Sequence, residues 1–377
     1  MNIAIFTHNY PESKTDRKNA GIFVHDMASE IAKSENVFVV APGEINKTEK
    51  MEGVTVQRFK GSGKKLGHLN AKNPADIISL LGFIKEGIKA SDQTFSKDKP
   101  NFTVAMWAFP GGLFAYYLKK RHNIPYAVWA LGSDIYIYAK LPILGTLIKQ
   151  ILKNANKLYA DGFDLCQEVK KLSGKKCEFL PSASRFRKAK GIQKKQKDGL
   201  KLAFLGRMEP VKGPDIFLSA LIQAKNKVGN FHVDFMGDGS LLEQLKKESE
   251  KVGLRTYFTF HGNVSDPEKI SRMISAADWL VIPSRSDSIP LVFAESMKCK
   301  TPIIASDLPD LEFLINKYKV GYTFKMGKPG ELAMIIKSLP QKRRERERFA
   351  LNTAIVAKEF SVEESAKKLV KYIKEAI

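Results

Sequence analysis

Arg207 and Lys212 lie in the stretch Gly206-Arg207-Met208-Glu209-Pro210-Val211-Lys212-Gly213 and have the types and spacing to hold two phosphate groups. The arginine would present a planar fork, the lysine a compact charge. They follow a β-rich run, Leu200 to Leu205, and precede a helical pattern that starts near Pro214. Ligands of open α/β sheets bind outside the carboxyl ends of the strands, so this position faces both cations toward a crevice. Two solvated loop cations are the alternative reading. A second turn, Gly237-Asp238-Gly239-Ser240, follows the run His232 to Met236; its glycines allow close backbone approach, and Ser240 is placed to cap a helix starting at Leu241. A plain strand-to-helix turn explains it equally. In a third segment, Asp287 sits in the loop after Trp279 to Ile282, and Glu295 falls inside the next helix beside Val292, Phe293 and Ala294. A helix starting at about Pro290 aims its first amides, near Pro290 and Leu291, at the same crevice. Carboxylates before and inside that helix suit the hydroxyls of a sugar and a ribose.

The elements that must position these residues are β-rich runs alternating with amphipathic ones, the pattern of parallel sheets with crossover helices. In the first half the strand candidates are Asn2 to Thr7, Val37 to Ala41, Val54 to Arg58, Thr103 to Trp107, Tyr126 to Ala130 and Lys157 to Ala160. Helical patterns run from Ile22 to Ser34, Asp76 to Ala90 and Leu113 to Arg121. The pattern restarts at Leu200, with further strands at His232 to Met236, Tyr257 to His261, Trp279 to Ile282 and Pro302 to Ala305. With 377 residues the chain exceeds what one core usually serves. The expected division is a first domain over 1–184, a linker over 185–198, a second domain over 199–355 and a carboxyl-terminal helix, 356–377, returning to the first domain. The linker candidate, Arg185 to Lys197, is rich in cations and has no carboxylate. Fold class is therefore α/β, two doubly wound Rossmann-like domains facing a crevice.

Composition excludes collagen-like, disordered and disulfide-stapled classes: 44% of residues are hydrophobic, and Cys166, Cys177 and Cys299 are too few and scattered for a framework or zinc site. The amino terminus reads as a first strand and not as a signal peptide. No apolar run approaches the length of a membrane span. The balance of 62 Lys+Arg against 40 Asp+Glu, +22 overall, calls for an anionic partner: nucleic acid, lipid or a phosphate-bearing substrate. Nucleic acid is disfavoured, because the cations are spread, as in Lys342 to Arg348, with no aromatic-interleaved recognition motif.

Taken together, Gly206-Arg207 with Lys212-Gly213, Gly237-Asp238-Gly239, Asp287 and Glu295, and Thr301-Pro302-Ile303-Ile304-Ala305-Ser306 resemble the donor domain of family 4 retaining glycosyltransferases, which have the GT-B fold. The resemblance extends to the first half through Tyr10-Pro11 followed by Gly21, Trp107-Ala108-Phe109-Pro110-Gly111-Gly112 and Gly132-Ser133-Asp134. It implies a metal-independent hexosyltransferase that moves a sugar from a UDP- or GDP-linked donor to a hydroxyl acceptor with retention, without a cofactor. Arg207, Lys212 and Asp287 would be catalytic. Gly21, Gly206, Gly237, Asp238, Pro290, Leu291 and Glu295 would bind the donor: Glu295 the ribose, the amides near Pro290 and Leu291 the phosphate, with Gly21 letting the backbone pass close to it. Asp287 would hold the donor sugar. His8, Ser133 and Asp134 would lie on the acceptor or sugar side. No Asp-x-Asp motif stands in a metal-binding context.

Three departures from the family pattern stand out. Asp287 replaces the usual glutamate; Leu131-Gly132-Ser133-Asp134 replaces His-Gly-x-Asp; Ser182-Ala183-Ser184-Arg185 stands where Asn-Gly-Val-Asp is usual. A GT-B epimerase or phosphorylase and a polyanion-binding protein are the alternative functions. His8, ending the first strand, is the best-placed histidine for a general base, or a sheet-edge histidine.

Family kinship also implies a lipid-linked or polysaccharide acceptor and work in the cytoplasm, peripheral to the inner face of a membrane. Two segments suit an anionic membrane: the basic loop Gly61 to His68, and the run Leu141 to Lys153, which puts Leu144, Leu147, Ile148, Ile151 and Leu152 on one helical face. Packing of that face against the first sheet is the alternative.

Overall fold

The computed structural model describes residues 1–13, 21–61, 73–183, 185–186, 188 and 199–377. The expected linker 185–198 and basic loop 61–68 fall almost entirely outside the described residues. The chain divides into two units, Met1–Ser184 with Val362–Ile377, and Arg185–Ser361.

The first unit carries eight strands: β1 (Asn2–Phe6), β2 (Asn36–Gly43), β3 (Lys47–Met51), β4 (Val54–Lys60), β5 (Phe102–Met106), β6 (Tyr126–Ala130), β7 (Lys157–Ala160) and β8 (Cys177–Phe179). Their order is β3-β4-β2-β1-β5-β6-β7-β8, all parallel except β3 against β4. Helix α1 (Ile22–Ile31) joins β1 to β2 and packs on the final helix, α14 (Val362–Ala376). The crossovers α2 (Pro74–Asp98), α3 (Gly112–His122), α5 (Pro142–Asn154) and α6 (Phe163–Ser173) pack side by side, and a short α4 (Ser133–Tyr136) follows β6. The central strands β5 and β6 are buried at every residue, which explains why they are apolar but for Thr103.

The apolar face of α5 joins the core: Ile148, Ile151 and Leu152 are fully buried, and Leu144 and Leu147 pack against them. The membrane reading of that face is thereby overturned, since burial against α3 and α6 already satisfies it.

The second unit has six parallel strands, β9 (Leu200–Leu205), β10 (Phe231–Met236), β11 (Phe258–Phe260), β12 (Trp279–Ile282), β13 (Ile303–Ser306) and β14 (Gly321–Phe324). Their order is β11-β10-β9-β12-β13-β14. Helices α7 (Pro214–Val228), α8 (Leu242–Lys251), α9 (Pro267–Ala276), α10 (Leu291–Lys298), α11 (Pro309–Tyr318), α12 (Pro329–Ser338) and α13 (Arg343–Glu359) complete it. Strand order reverses between β9 and β12, the switch point where loops diverge and leave room for a ligand. The same reversal in the first unit lies between β1 and β5.

Candidate functional site

In the second unit the loops after β9, β10 and β12 form one constellation. The amide of Gly206 donates to the Met236 carbonyl at 3.0 Å, that of Met208 to the Asp238 carbonyl at 2.8 Å, and that of Leu241 to the Met208 carbonyl at 2.9 Å. Only glycine fits at 237: φ is +139°, and a Cβ there would lie 1.9 Å from the Gly206 carbonyl oxygen. Gly213, at φ +68°, is held as tightly on the other side, where a Cβ would meet the Pro283 carbonyl oxygen at 1.9 Å. These contacts fix both ends of the segment carrying Arg207 and Lys212.

The two cations have different surroundings. Arg207 is exposed, and its guanidinium has no ion pair among the described residues. Lys212 is half-buried and donates from Nζ to Asp287 Oδ2 at 2.6 Å, where Ser284 Oγ also donates at 3.0 Å. The structure thus brings Lys212 and Asp287 together from the ends of β9 and β12. Pro290 and Leu291 open α10 beside them, with the Phe293 amide donating to the Pro290 carbonyl, and Glu295 lies half-buried one turn on.

Three further residues build this site and were not singled out by sequence. Arg285 forms a two-pronged contact to Asp215, Nη1 to Oδ1 at 2.8 Å and Nη2 to Oδ2 at 2.5 Å, and Nη1 also donates to the Pro210 carbonyl at 2.5 Å. Its own amide donates to the Val211 carbonyl at 2.8 Å, so one residue ties the Lys212 loop to the Asp287 loop at four points. Burial pushes the Asp215 carboxyl up, and the Arg285 fork outweighs it, holding the group below the usual aspartate range. Glu209 is the third: it accepts from the Ser240 amide at 3.0 Å and hydroxyl at 2.7 Å. Ser240 is therefore no helix cap. Helix α8 starts at Leu242 without a side-chain cap, and the hydroxyl that would have served is given to Glu209. Asp238 turns its carboxylate onto the Gly239 amide at 2.8 Å. A polar pair at positions 209 and 240, at the ends of adjacent parallel strands, was the available signal.

In the first unit the loops after β1, β5 and β6 gather His8, Trp107 and Asp134. The His8 ring lies 4.4 Å from that of Trp107, which meets Phe23 at 5.9 Å; Phe23 in turn meets Trp129 at 6.3 Å. Burial drives the His8 pKa down to about 4, so the ring is neutral at physiological pH, and its buried Nδ1 has no hydrogen-bond partner among the described residues. Trp107 holds φ +65°, a left-handed conformation that costs energy for a bulky residue.

Asp134 is fully buried, and its carboxylate accepts from the amides of Ala108 at 2.6 Å and Leu131 at 3.2 Å. Burial pushes it up to about 6 against the pull of those amides. Its contacts join the loops after β5 and β6, whereas Ser133, half-buried, begins α4. Gly21 approaches its own chain: a Cβ would lie 2.3 Å from the Asn9 carbonyl oxygen. Sequence reading also missed Arg58, buried on β4, which pairs with Glu49 at 2.9 Å and donates to the Pro11 carbonyl at 2.6 Å, anchoring the loop after β1. Among the described residues no group of three His, Cys, Asp or Glu is arranged to hold a metal ion.

Two parallel-sheet Rossmann-like units, each with its loops gathered at a switch point, define the GT-B class. Residues 174–356 match the family Glycosyl transferases group 1. The D-inositol 3-phosphate glycosyltransferase of Segniliparus rotundus is 33% identical over 114 residues, 29% of this chain and 25% of that protein. The teichuronic acid biosynthesis glycosyltransferase TuaC of Bacillus subtilis is 27% identical over 233 residues, 58% of this chain and 56% of its own. HepE of Anabaena, solved in complex with UDP-glucose, superposes with a TM-score of 0.74 at 15% identity over 100% of both chains, a likeness of fold. The chain spans between a quarter and just over half the length of these curated relatives. Residues 174–356 thus resemble the glycosyltransferases of this group, and the two units share the GT-B fold.

Proposed function

We propose that this protein transfers a sugar, with retention, from a nucleoside-diphosphate sugar, UDP- or GDP-linked, to a hydroxyl acceptor. The observation that carries the reading is the placement of Arg207 and Lys212 on one glycine-clamped loop at the switch point, within the region that matches the family, next to the start of α10. Among the described residues Arg207 has no ion pair to give up. Lys212 has Asp287 as counter-ion, and an incoming diphosphate takes over its charge and releases the Asp287 carboxylate to accept from donor-sugar hydroxyls. Glu295 serves the ribose, Gly206, Gly237 and Asp238 line the approach, and the amides near Pro290 and Leu291 meet phosphate oxygen.

In the reaction the bond from the anomeric carbon to the β-phosphate oxygen breaks and a bond from the acceptor oxygen forms on the same face. The acceptor proton passes to the departing phosphate oxygen. Negative charge grows on that oxygen beside two preorganised cations, the kind of stabilisation that usually dominates catalysis. No metal is required, because Arg207 and Lys212 supply the positive charge. His8, neutral and weakly basic, and Asp134, committed to backbone amides, shape the acceptor side without taking the proton. The acceptor is a lipid-linked or surface polysaccharide, met by the first unit with the protein attached peripherally to an anionic membrane at its cytoplasmic face. TuaC, named for teichuronic acid biosynthesis, and HepE, solved with UDP-glucose, support a nucleotide-sugar enzyme of surface polymers. A screen of UDP- and GDP-linked sugars for thermal stabilisation and for release of nucleoside diphosphate tests the reading: stabilisation and release by one donor are expected, and neither by any donor would refute it.

A further inference from the structure

Helix α6 and strand β8 bring two cysteines to one place at the edge of the first sheet. Helix α6 leads from β7 to the parallel β8, so it runs back along the strand that follows it. Phe163 and Cys166, three apart, share one face of the helix; Cys177 and Phe179, two apart, share one face of the strand. Phe163 stacks on Phe179 with ring centroids 4.2 Å apart and planes 24° from parallel, which sets the register of the two faces. From that stack Cys166 lies about 4.5 Å down the helix and Cys177 about 6.6 Å back along the strand, so the two side chains meet one step inward. Cys166 is buried in the core of the unit, and Cys177 packs against the same cluster.

The turn that joins the two elements is fixed. The Gly174 amide donates to the Lys170 carbonyl at 2.8 Å, and the Lys175 amide donates to Ser173 Oγ at 3.0 Å. Access is unequal. Strand β8 is the last of the sheet and is half-buried at each residue, so a small molecule can reach Cys177, whereas Cys166 is only 7% exposed. The neighbouring Cys166 thiol, and then burial, push the Cys177 thiol up, so the pair is held protonated and reacts through a thiolate fraction that grows with pH.

We propose that Cys166 and Cys177 form a redox-active pair, which a small-molecule disulfide of the glutathione type converts into an intramolecular disulfide joining α6 to β8. Cys177, as thiolate, attacks one sulfur of the small disulfide, whose S–S bond breaks to release one small thiol and leave a mixed disulfide on Cys177. Cys166, as thiolate, then attacks the Cys177 sulfur and expels the second small thiol. The two cysteines lose two electrons and two protons, and both end on the two small thiols, so an excess of small thiol reverses the reaction. In a reducing compartment such a pair stands open and closes transiently, as redox-sensing disulfides do. Closure lies one turn or less from Asp164, which accepts from the Tyr136 hydroxyl of α4 at 2.8 Å, so oxidation stiffens the flank of the carboxyl edge that carries Asp134.

The full chain, held well below its unfolding transition in excess oxidised glutathione at mildly alkaline pH, tests the pair. Of the three free thiols two should be lost, with peptide mapping linking Cys166 to Cys177 and leaving Cys299 free, and dithiothreitol should restore all three. Cys166→Ala should stop at one glutathione on Cys177, and Cys177→Ser should leave Cys166 unmodified. The Tm of the first unit should rise by about 5–10 °C in the oxidised wild type, as expected for closing a loop of this length. Retention of all three thiols, a glutathione adduct on wild-type Cys177 that never closes, or a link to Cys299 would overturn the proposal. A lower Tm after closure would also overturn it, since a disulfide forced on badly placed sulfurs strains the fold.

Discussion

Replacing Arg285 with alanine removes the fork on Asp215 and the bond to the Pro210 carbonyl but keeps the backbone bond to Val211. A charge-assisted bidentate pair is worth roughly 1.5–3 kcal/mol when shielded. Here the side chains are 37% and 35% exposed, so solvent screening reduces the pair to about 1 kcal/mol. Loss of the carbonyl bond adds roughly 0.5–1 kcal/mol. The second unit should therefore lose about 1.5–2 kcal/mol, a drop in Tm of about 3–8 °C for a domain of this size. Since the fork holds the Lys212 loop in place, affinity for UDP should fall about fivefold, although Arg285 itself makes no phosphate contact. Calorimetry of Arg285→Ala, Asp215→Ala and the double variant separates the pair from its parts, with a coupling of about 1 kcal/mol expected. Strictly additive losses, or an unchanged Tm in Arg285→Ala, would refute the clamp.

Gly213→Ala should cost about 2 kcal/mol or more, because it combines a left-handed backbone with a Cβ inside the Pro283 carbonyl; a variant of wild-type Tm would disprove that contact. Stability against pH should carry two opposed slopes. The Asp134 carboxyl, raised from 3.8 to about 6, favours the folded state most below pH 3.8 and loses that contribution as pH rises to 6. The His8 ring, lowered from 6.5 to about 4, contributes most above pH 6.5 and loses its share as pH falls to 4. Chemical unfolding across this window should thus be nearly level in these two contributions, steepening toward acid in Asp134→Asn and easing in His8→Asn; the reverse signs would show the two environments misread. Turnover should persist in EDTA, and activity restored only by magnesium or manganese would place the diphosphate charge on a metal.

Much of the fold was legible because buried parallel strands are short, mainly apolar runs. Tyr126–Ala130, Lys157–Ala160, Leu200–Leu205 and Trp279–Ile282 end where the sequence pattern ends. Strand β3, Lys47-Thr48-Glu49-Lys50-Met51, escaped notice because it is an edge strand with no fully buried residue. The short β8 and β14 are half-buried except for Phe324 at the end of β14, and carry little periodicity. Helix α2 runs to Asp98, beyond the expected Ala90, because Ser91 and Thr94 give their hydroxyls to the carbonyls of Gly87 and Ala90 and so lie buried in a helix.

The candidate site was legible as a set of loops and not as a set of contacts. Glycine pairs at strand ends pointed to Gly206, Gly213 and Gly237. The pairing of Lys212 with Asp287 crosses 75 positions, and that of Arg285 with Asp215 crosses 70, distances at which spacing carries no information. Asp134 entered through the resemblance of Gly132-Ser133-Asp134 alone; its burial and its bonds from the Ala108 and Leu131 amides are products of the tertiary fold.

The central claim is that Arg207 and Lys212 hold the diphosphate of the donor. Isothermal titration of UDP and GDP into the wild type, Arg207→Ala and Lys212→Ala tests it most directly. The account predicts that one nucleotide binds the wild type and that each substitution weakens it by roughly tenfold to a hundredfold, as expected for a charge-assisted contact. Unchanged affinity for both nucleotides in both variants would contradict it.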